Sequence, residues 1–463
     1  MQLIYRPSDK PQFSKTIVFA IQQLLAIMAA TLVVPVIIGH GMSSVAALFG
    51  AGVGTLVYLL FTKFKSPVFL GSSFAFIGSM SAAFAGAATV ALGYLGLIMG
   101  AIFAGLVYVV IAIAVKYAGV DWINKLMPPV VIGPTVAIIG LSLAGNAIGD
   151  LQKGDVMKTI IENGVPSTVP TAHPLIAILC GLVTLFVVVL CSTFGKKMTK
   201  LIPFIIGILA GYAVALVFTV IGKAADAPAL MLIDFSNFTA LWDGGVSIKT
   251  FLSIPEFTFI TAFGAFGELS GAYIGTVAVA YIPVAFVVFA EHIADHKNIS
   301  SIIEEDLLEE PGLSRTLLGD GVGSMAGAFF GGCPNTTYGE SVACVAITGN
   351  ASVITIFFAA IGAILISFLS PFVAFVNSIP ACIMGGVCIA LYGFIAVSGL
   401  KMIQAVDLGE NRNLFVVSTI LICGIGGLTL NFGKVTITSI ATALILGILV
   451  NIVLGKAWKK ADK

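Results

Sequence analysis

The sequence predicts an all-α membrane protein that crosses the bilayer many times. Of its 463 residues, 59% are hydrophobic and only 10% are charged, and the mean hydropathy is +1.09. Soluble domains carry about 25% charged residues, so this composition excludes an ordinary soluble domain. Apolar stretches of about 18 residues or more recur along nearly the whole chain, and each is long enough to span a bilayer. The net charge of +1 argues against a nucleic-acid partner.

The apolar stretches predict about fourteen membrane segments, and an even number places both termini on one side. Positive charge indicates which side, because Lys and Arg accumulate in cytoplasmic loops. With the N-terminus inside, all but five of the 23 Lys and Arg residues fall in inside segments. The five in outside segments are Lys153, Lys158, Lys223, Lys249 and Lys434. This pattern predicts a protein of the cytoplasmic membrane with both termini in the cytoplasm.

Two pairs of proline motifs indicate an internal repeat. Pro128 in MPPVVIGPTVAIIG and Pro380 in IPACIMGGVCIALYG are separated by 252 residues. Pro35 in LVVPVIIG and Pro283 in AYIPVAFVV are separated by 248 residues. The near-equal offsets predict two repeats of seven segments each. Because seven is odd, the second repeat is inverted in the membrane, as in many secondary transporters.

The repeats are predicted to cover residues 1–223 and 257–463, with an extracytoplasmic loop at 224–256. Their third segments correspond, and both are interrupted: SPVFLGSSFAFIGS (66–79) is the third segment and FFGGCPNTTYGES (329–341) is the tenth. Each is predicted to be an extended stretch that leads into a half-helix. Non-helical backbone at membrane depth is tolerated only where it is buried in protein or lines a cavity. The paired interruptions therefore predict a binding site near the bilayer midplane.

Carboxylates at membrane depth are the candidate functional groups. Glu291 and Asp295 follow about nineteen apolar or small residues and share one helix face at the i, i+4 spacing. Glu340 lies inside the interrupted tenth segment. Burying such groups costs several kcal/mol unless they are protonated, paired or hydrated, which favours a functional role. The alternative, that the eighth span ends before Glu291 at a solvated edge, stays open, above all for His292 and His296.

Four motifs together resemble the nucleobase/ascorbate transporter family, and its bacterial uracil-permease branch in particular. They are LGSSFAF (70–76), AEHIADH (290–296), PGLSRTLLGDG (311–321) and PNTTYGES (334–341), in the order and spacing typical of that family. The resemblance implies fourteen segments in two inverted repeats, arranged as a core domain that carries the substrate and a gate domain. It also implies that the protein commonly forms a homodimer.

The resemblance further implies a substrate site built from two carboxylates and the ends of the broken segments. The residues at the matching positions are Glu291, Glu340, Ser73, Phe74, Tyr338 and Gly339. Carboxylates would accept hydrogen bonds from the N–H groups of the base, and backbone amides would donate to its carbonyls. No cofactor or metal is expected.

Some positions depart from the family pattern. Asp295 stands where uracil permeases often have His, and an acidic residue there also occurs in purine-transporting relatives. Gln23 and Ser341 replace the His and Asn found in many relatives. Residues 259–272 resemble an insertion, and we expect Glu268 within it to have no role in transport.

We therefore expect a secondary transporter that imports a nucleobase, uracil first, by proton symport. Asp295, His296 and Glu291 are the predicted proton-coupling residues. A xanthine or uric acid permease of the same family and an uncoupled facilitator remain alternatives. An anion transporter of the sulfate or bicarbonate type would favour positive charge at the midplane, which here offers carboxylates. No HExxH, GxSxG or P-loop spacing is found, so the sequence does not predict an enzyme.

Overall fold

A computed structural model describes residues 3–119, 128–162, 165–196, 198–243, 245–432 and 435–461. Lys125, Lys197, Lys434 and Lys463, which entered the charge count, lie outside the described residues.

Helices dominate the described chain. The helices of two turns or more are α1 (Phe13–Ile38), α2 (Ser44–Phe61), α3 (Ile77–Ala85), α4 (Val90–Ala118), α5 (Pro129–Ser142), α6 (Ala144–Leu151), α7 (Pro174–Phe194), α8 (Pro203–Ala224), α9 (Gly271–Ile303), α10 (Leu313–Gly331), α11 (Gly339–Thr348), α12 (Val353–Ile366), α13 (Ser370–Asn377), α14 (Ala381–Ile403), α15 (Asn411–Ile425) and α16 (Ser439–Ala461). Short helical turns lie at Phe74–Phe76, Met198–Leu201, Pro228–Leu230, Ser236–Thr239, Ile248–Phe251, Thr258–Ala262, Phe263–Glu268 and Leu308–Gly312.

The described strands form three two-stranded antiparallel sheets. They pair β1 (Leu70–Ser72) with β4 (Asn335–Thr337), β2 (Met157–Glu162) with β3 (Val165–Pro170), and β5 (Leu430–Phe432) with β6 (Val435–Ile437). These strands are short, and the prediction of an all-α membrane protein is confirmed.

Eight helices in the described residues are long and apolar enough to cross a membrane: α1, α2, α4, α5 continued by α6, α7, α8, α9 and α14. Five shorter apolar helical segments accompany them: Phe74–Ala85, α11, α12, α15 and Ser439–Gly455. The number of fourteen membrane segments stays a prediction.

The four repeat prolines occupy matching places. Pro35 lies inside α1 and Pro283 inside α9. Pro128 and Pro380 each directly precede a helix, α5 and α14 respectively. Each pair therefore marks the same kind of position in the two halves of the sequence, as the predicted repeat requires.

Both predicted interruptions are present. Strand β1 leads through the turn Phe74–Phe76 into the half-helix α3, and β4 leads directly into the half-helix α11. The two strands pair with each other, with Leu70 opposite Thr337 and Ser72 opposite Asn335. This pairing satisfies backbone groups that a lipid environment would leave without partners.

Glycine contacts between α2 and α10 support this strand pair. A Cβ atom on Gly54 would lie 2.6 Å from the carbonyl oxygen of Gly323, and one on Gly323 would lie 2.7 Å from that of Gly54. Such close approach of backbones is typical of membrane helices that pack through small residues. On the same surface, Asn335 Nδ2 donates to the carbonyl oxygen of Gly50 at 3.2 Å, which fixes β4 against α2.

The chain divides into two compact units. The first comprises Met1–Ser142, Glu256–Ile364 and Phe394–Lys463, and contains both interrupted segments. The second comprises Leu143–Pro255 and Leu365–Gly393. The repeat boundaries drawn from the sequence stay predictions.

Within the second unit, a carboxylate holds the start of α14. Asp155 Oδ1 accepts a hydrogen bond from the backbone N–H of Ala381 at 3.0 Å. The pKa of Asp155 is raised from its usual 3.8 to about 6, chiefly by burial and also by the charge of Asp234, although the hydrogen bond from Ala381 lowers it. The Cys382 N–H donates to the carbonyl oxygen of Lys153 at 2.9 Å, so two adjacent amides of α14 are bound by the same loop.

Candidate functional site

Helix α9 carries the predicted carboxylates well before its end. The helix runs for 33 residues to Ile303, so Glu291 lies within it. His292 and His296 are 0% exposed. The alternative of a solvated edge is therefore wrong for these two histidines, because their side chains are inside the protein.

One face of α9 meets the start of α11. Asp295 Oδ2 accepts a hydrogen bond from Thr337 Oγ1 at 2.7 Å, which links α9 to strand β4. A Cβ on Gly339 would lie 4.0 Å from Asp295 Oδ1. Glu340 lies in the first turn of α11, and Glu291, Asp295 and Glu340 are near enough for their charges to interact. The structure thus brings together three carboxylates that the sequence separates by up to about fifty positions.

These groups remain accessible although their surroundings are buried. Glu291, Asp295 and Glu340 are partly exposed, Gly339 is exposed, and Phe74 is partly exposed. The first backbone N–H groups of a helix lack intrahelical partners and form its positive end. The carboxylates therefore stand beside a helix terminus that can donate hydrogen bonds, a combination suited to a ligand with both donors and acceptors.

Tyr338 and Ser73 hold the strand crossing together. Tyr338 is 4% exposed, its hydroxyl donates to the carbonyl oxygen of Ser72 at 2.6 Å, and its ring covers Gly71. The backbone N–H of Ser73 donates to the carbonyl oxygen of Pro334 at 2.9 Å, so this N–H is not available to a ligand. The Ser73 hydroxyl is buried and has no hydrogen-bond partner among the described residues. A direct role for Ser73 would therefore have to come from this hydroxyl.

Two departures from the family pattern contact each other. Gln23 Nε2 on α1 donates to Ser341 Oγ on α11. The same Ser341 oxygen accepts the backbone N–H of Phe69 at 2.9 Å, just before β1. The substituted positions thus form one contact that joins α1, α11 and the first broken segment.

The neighbouring face of α9 carries a second polar cluster that sequence reasoning missed. His292 Nδ1 lies 2.7 Å from Asp320 Oδ2, and His292 Nε2 lies 3.0 Å from Thr316 Oγ1, both on α10. Asp320 and Thr316 are 0% exposed. The signal was present in the sequence, since Asp320 is an ionisable residue in an apolar, glycine-rich stretch, LLGDGVGSMAG.

His296 belongs to this buried face. Its Nδ1 lies 2.8 Å from the carbonyl oxygen of His292, and its Nε2 lies 2.7 Å from Tyr58 Oη on α2. Tyr58 Oη also lies 2.7 Å from Ser66 Oγ. A carbonyl oxygen can only accept, so His296 Nδ1 carries the proton and a neutral ring accepts at Nε2. Both ring nitrogens of His296 therefore have partners away from the three carboxylates.

A helical chain with two broken segments that cross beside accessible carboxylates has the architecture of a multi-pass membrane transporter. Residues 14–433 match the model of a permease family. The chain belongs to the nucleobase/ascorbate transporter family, and it is a transporter rather than an enzyme.

Two relatives illustrate the match. The chain is 37% identical over 449 residues to the uracil permease of Bacillus caldolyticus, which covers 96% of this chain and 93% of that protein. It is 35% identical over 457 residues to the uracil permease of Bacillus subtilis strain 168, which covers 97% of this chain and 94% of that protein.

Solved structures share the fold at low identity. The transmembrane domain of the cyanobacterial bicarbonate transporter BicA matches with a TM-score of 0.60 and 13% identity, over 96% of this chain and 99% of that one. The murine anion transporter Slc26a9 in its inward-facing state matches with a TM-score of 0.62 and 11% identity, over 97% of this chain and 69% of that one. These likenesses confirm the predicted inverted-repeat membrane fold.

Proposed function

We propose that the protein imports uracil across the cytoplasmic membrane by proton symport. The observation that carries this proposal is the meeting of Glu291 and Glu340 at the N-terminus of the half-helix α11. Both side chains are partly exposed, which leaves them open to a ligand. The uracil permeases of two Bacillus species, which match nearly the full chain, support the choice of substrate.

The chemistry of the site is complementary to uracil, a planar neutral ring with two N–H donors and two carbonyl acceptors. The two carboxylates accept from the N–H groups, and bonds to charged acceptors are the stronger kind. The backbone N–H groups at a half-helix N-terminus would donate to the carbonyls, aided by the helix dipole. The ring of Phe74, which is partly exposed, would pack against a face of the base.

Asp295 is the proposed link to the proton. It lies one helical turn from Glu291 and interacts with the charges of Glu291 and Glu340. Its hydrogen bond from Thr337 holds it beside the start of α11. Proton entry at Asp295 or Glu291 lowers the negative charge of the site as substrate binds, so the inward proton gradient drives uptake. His296 would contribute to proton coupling from its buried position on α9.

The remaining parts of the proposal concern assembly and orientation. Both termini lie in the cytoplasm, in agreement with the distribution of Lys and Arg. The protein works as a homodimer, each protomer with two inverted repeats at 1–223 and 257–463.

The test is uptake of labelled uracil, xanthine and uric acid into proteoliposomes, with and without a proton uncoupler. We expect uracil uptake that the uncoupler abolishes. Glu340→Gln should weaken uracil binding by about thirtyfold or more, because loss of one partner of a buried charged hydrogen bond costs about 2–5 kcal/mol. The matched control is Glu268→Gln, at an exposed carboxylate whose Oε2 accepts from Thr89 Oγ1.

Each outcome decides one element of the proposal. Near-normal uracil affinity in Glu340→Gln contradicts the assigned site. Uptake of xanthine or uric acid in place of uracil identifies the purine alternative, which the acidic Asp295 favours. Uracil uptake that is unchanged by the uncoupler identifies an uncoupled facilitator.

A further inference from the structure

The buried cluster of His292, Asp320 and Thr316 has no part in binding the base as proposed above. It lies on the face of α9 next to the substrate carboxylates, and His292 directly follows Glu291 in the chain. All three side chains are 0% exposed. Ionisable groups are costly at membrane depth, so a buried Asp–His pair there indicates a functional role.

Thr316 can serve the pair in two ways. Its Oγ1 lies 3.0 Å from His292 Nε2 and 3.1 Å from the carbonyl oxygen of Leu313. A hydroxyl has one proton to donate and can also accept. Thr316 can therefore donate to Leu313 while accepting from an Nε2–H, or donate to a bare Nε2 instead.

Two protonation states of the cluster are consequently both hydrogen-bonded. In the protonated state, the Asp320 acid donates from Oδ2 to Nδ1, Nε2–H donates to Thr316, and Thr316 donates to Leu313. In the deprotonated state, Nδ1–H donates to Asp320 and Thr316 donates to Nε2. The states differ by one proton, which is exchanged with water, and the net charge changes from −1 to zero when it binds.

Two unpartnered atoms favour this exchange. Asp320 Oδ1 and the Tyr108 hydroxyl are both buried without hydrogen-bond partners among the described residues. The charge of Asp320 acts on Tyr108, so the two groups are near each other. A buried carboxylate with one unpaired oxygen is costly, and protonation relieves that cost.

We propose that Asp320, His292 and Thr316 form a proton-binding site that takes up and releases one proton during transport. Its coupling to the substrate site runs through Glu291, on which the charge of Asp320 acts. The titratable groups around the cluster are Tyr58 from α2, Tyr108 from α4, and Glu291, Asp295 and His296 from α9. The role of this site in transport rests on the proposed proton symport, but its protonation does not.

Infrared difference spectroscopy of the purified protein without substrate tests the protonation directly. As the pH is lowered, other carboxyl groups such as Glu291 and Asp295 also contribute carboxylic-acid C=O bands, so the signal of interest is the component that is present in the wild type and missing in Asp320→Asn. Thr316→Ser keeps the hydroxyl and should preserve the midpoint of that titration. Thr316→Val keeps the shape but removes the hydroxyl. The protonated state then loses two hydrogen bonds and the deprotonated state one, so the midpoint should move to lower pH by about half a unit or more.

Transport assays then show what the proton does. Asp320→Asn and Thr316→Val should keep uracil affinity within about threefold, or about 0.7 kcal/mol, but weaken the response of uptake to a pH gradient. Identical C=O bands in the wild type and Asp320→Asn, or identical titrations of that component in Thr316→Ser and Thr316→Val, overturn the proton site. A wild type that shows the band but neither binds nor transports uracil contradicts the proposed function and leaves the proton site standing.

Discussion

Replacing Gly71 by Ala should displace the anchor of the half-helix α11. A Cβ at this position would lie 2.9 Å from Tyr338 Cδ2 and closer still to Cε2 and Cζ, so the ring must move. The ring cannot retreat freely, because the Tyr338 hydroxyl is hydrogen-bonded to Ser72 O at 2.6 Å. Overpacking costs about 1–3 kcal/mol and the lost hydrogen bond about 1 kcal/mol, which gives about 2–4 kcal/mol in total.

Tyr338 directly precedes Gly339 and Glu340, so this cost falls on the substrate site. We expect the Kd for uracil, measured by calorimetry on purified protein, to rise by about thirtyfold or more, with a lower melting temperature in detergent. The matched control is Gly78→Ala in α3, where the nearest atom to a new Cβ is Ile440 Cδ1 at 3.7 Å. If Gly71→Ala binds and melts like Gly78→Ala, Tyr338 does not anchor the site.

Three further predictions concern charge and buried hydroxyls. Asp295→Asn should keep uracil affinity within about tenfold while blunting the response of proteoliposome uptake to a pH gradient, and unchanged pH dependence would remove Asp295 from coupling. Tyr58→Phe leaves Nε2 of His296 without a partner and should cost about 1–3 kcal/mol in denaturant unfolding; an unaltered midpoint would show that another group replaces the hydroxyl. Because burial raises the pKa of Asp155 to about 6, its ionisation opposes folding, and stability should fall as pH rises from about 4 to above 6. Asp155→Asn keeps an acceptor for Ala381 and should flatten that dependence in melting curves; a slope equal to the wild type's would assign it to other groups.

The broken segments could be predicted from sequence because their composition conflicts with a lipid-facing helix. PNTTYGES and LGSSFAF place polar residues, glycine and proline inside apolar surroundings, and such stretches need buried partners. The pairing of β1 with β4 could not be predicted, because it joins residues from the two halves of the chain. For the same reason the sequence did not reveal that the backbone N–H of Ser73 already donates a hydrogen bond to the carbonyl oxygen of Pro334.

The histidines of α9 show a different limit. Hydropathy falls at Glu291, so the sequence left open that the span ends there, whereas the helix continues to Ile303. Hydropathy measures transfer to lipid and carries no information about protein neighbours. His292 and His296 are polar, but Asp320 on α10 and Tyr58 on α2 supply their partners. Only the packing of three helices makes these positions interior.

The strand pair also constrains how the protein is made. Leu70 pairs with Thr337, so β1 is synthesised long before its partner strand β4. During that interval the backbone groups of β1 lack their final partners, which is costly in a lipid environment. The first broken segment therefore reaches its final hydrogen bonding only after the second has been made. A chain that ends before β4 leaves the backbone groups of β1 without these partners.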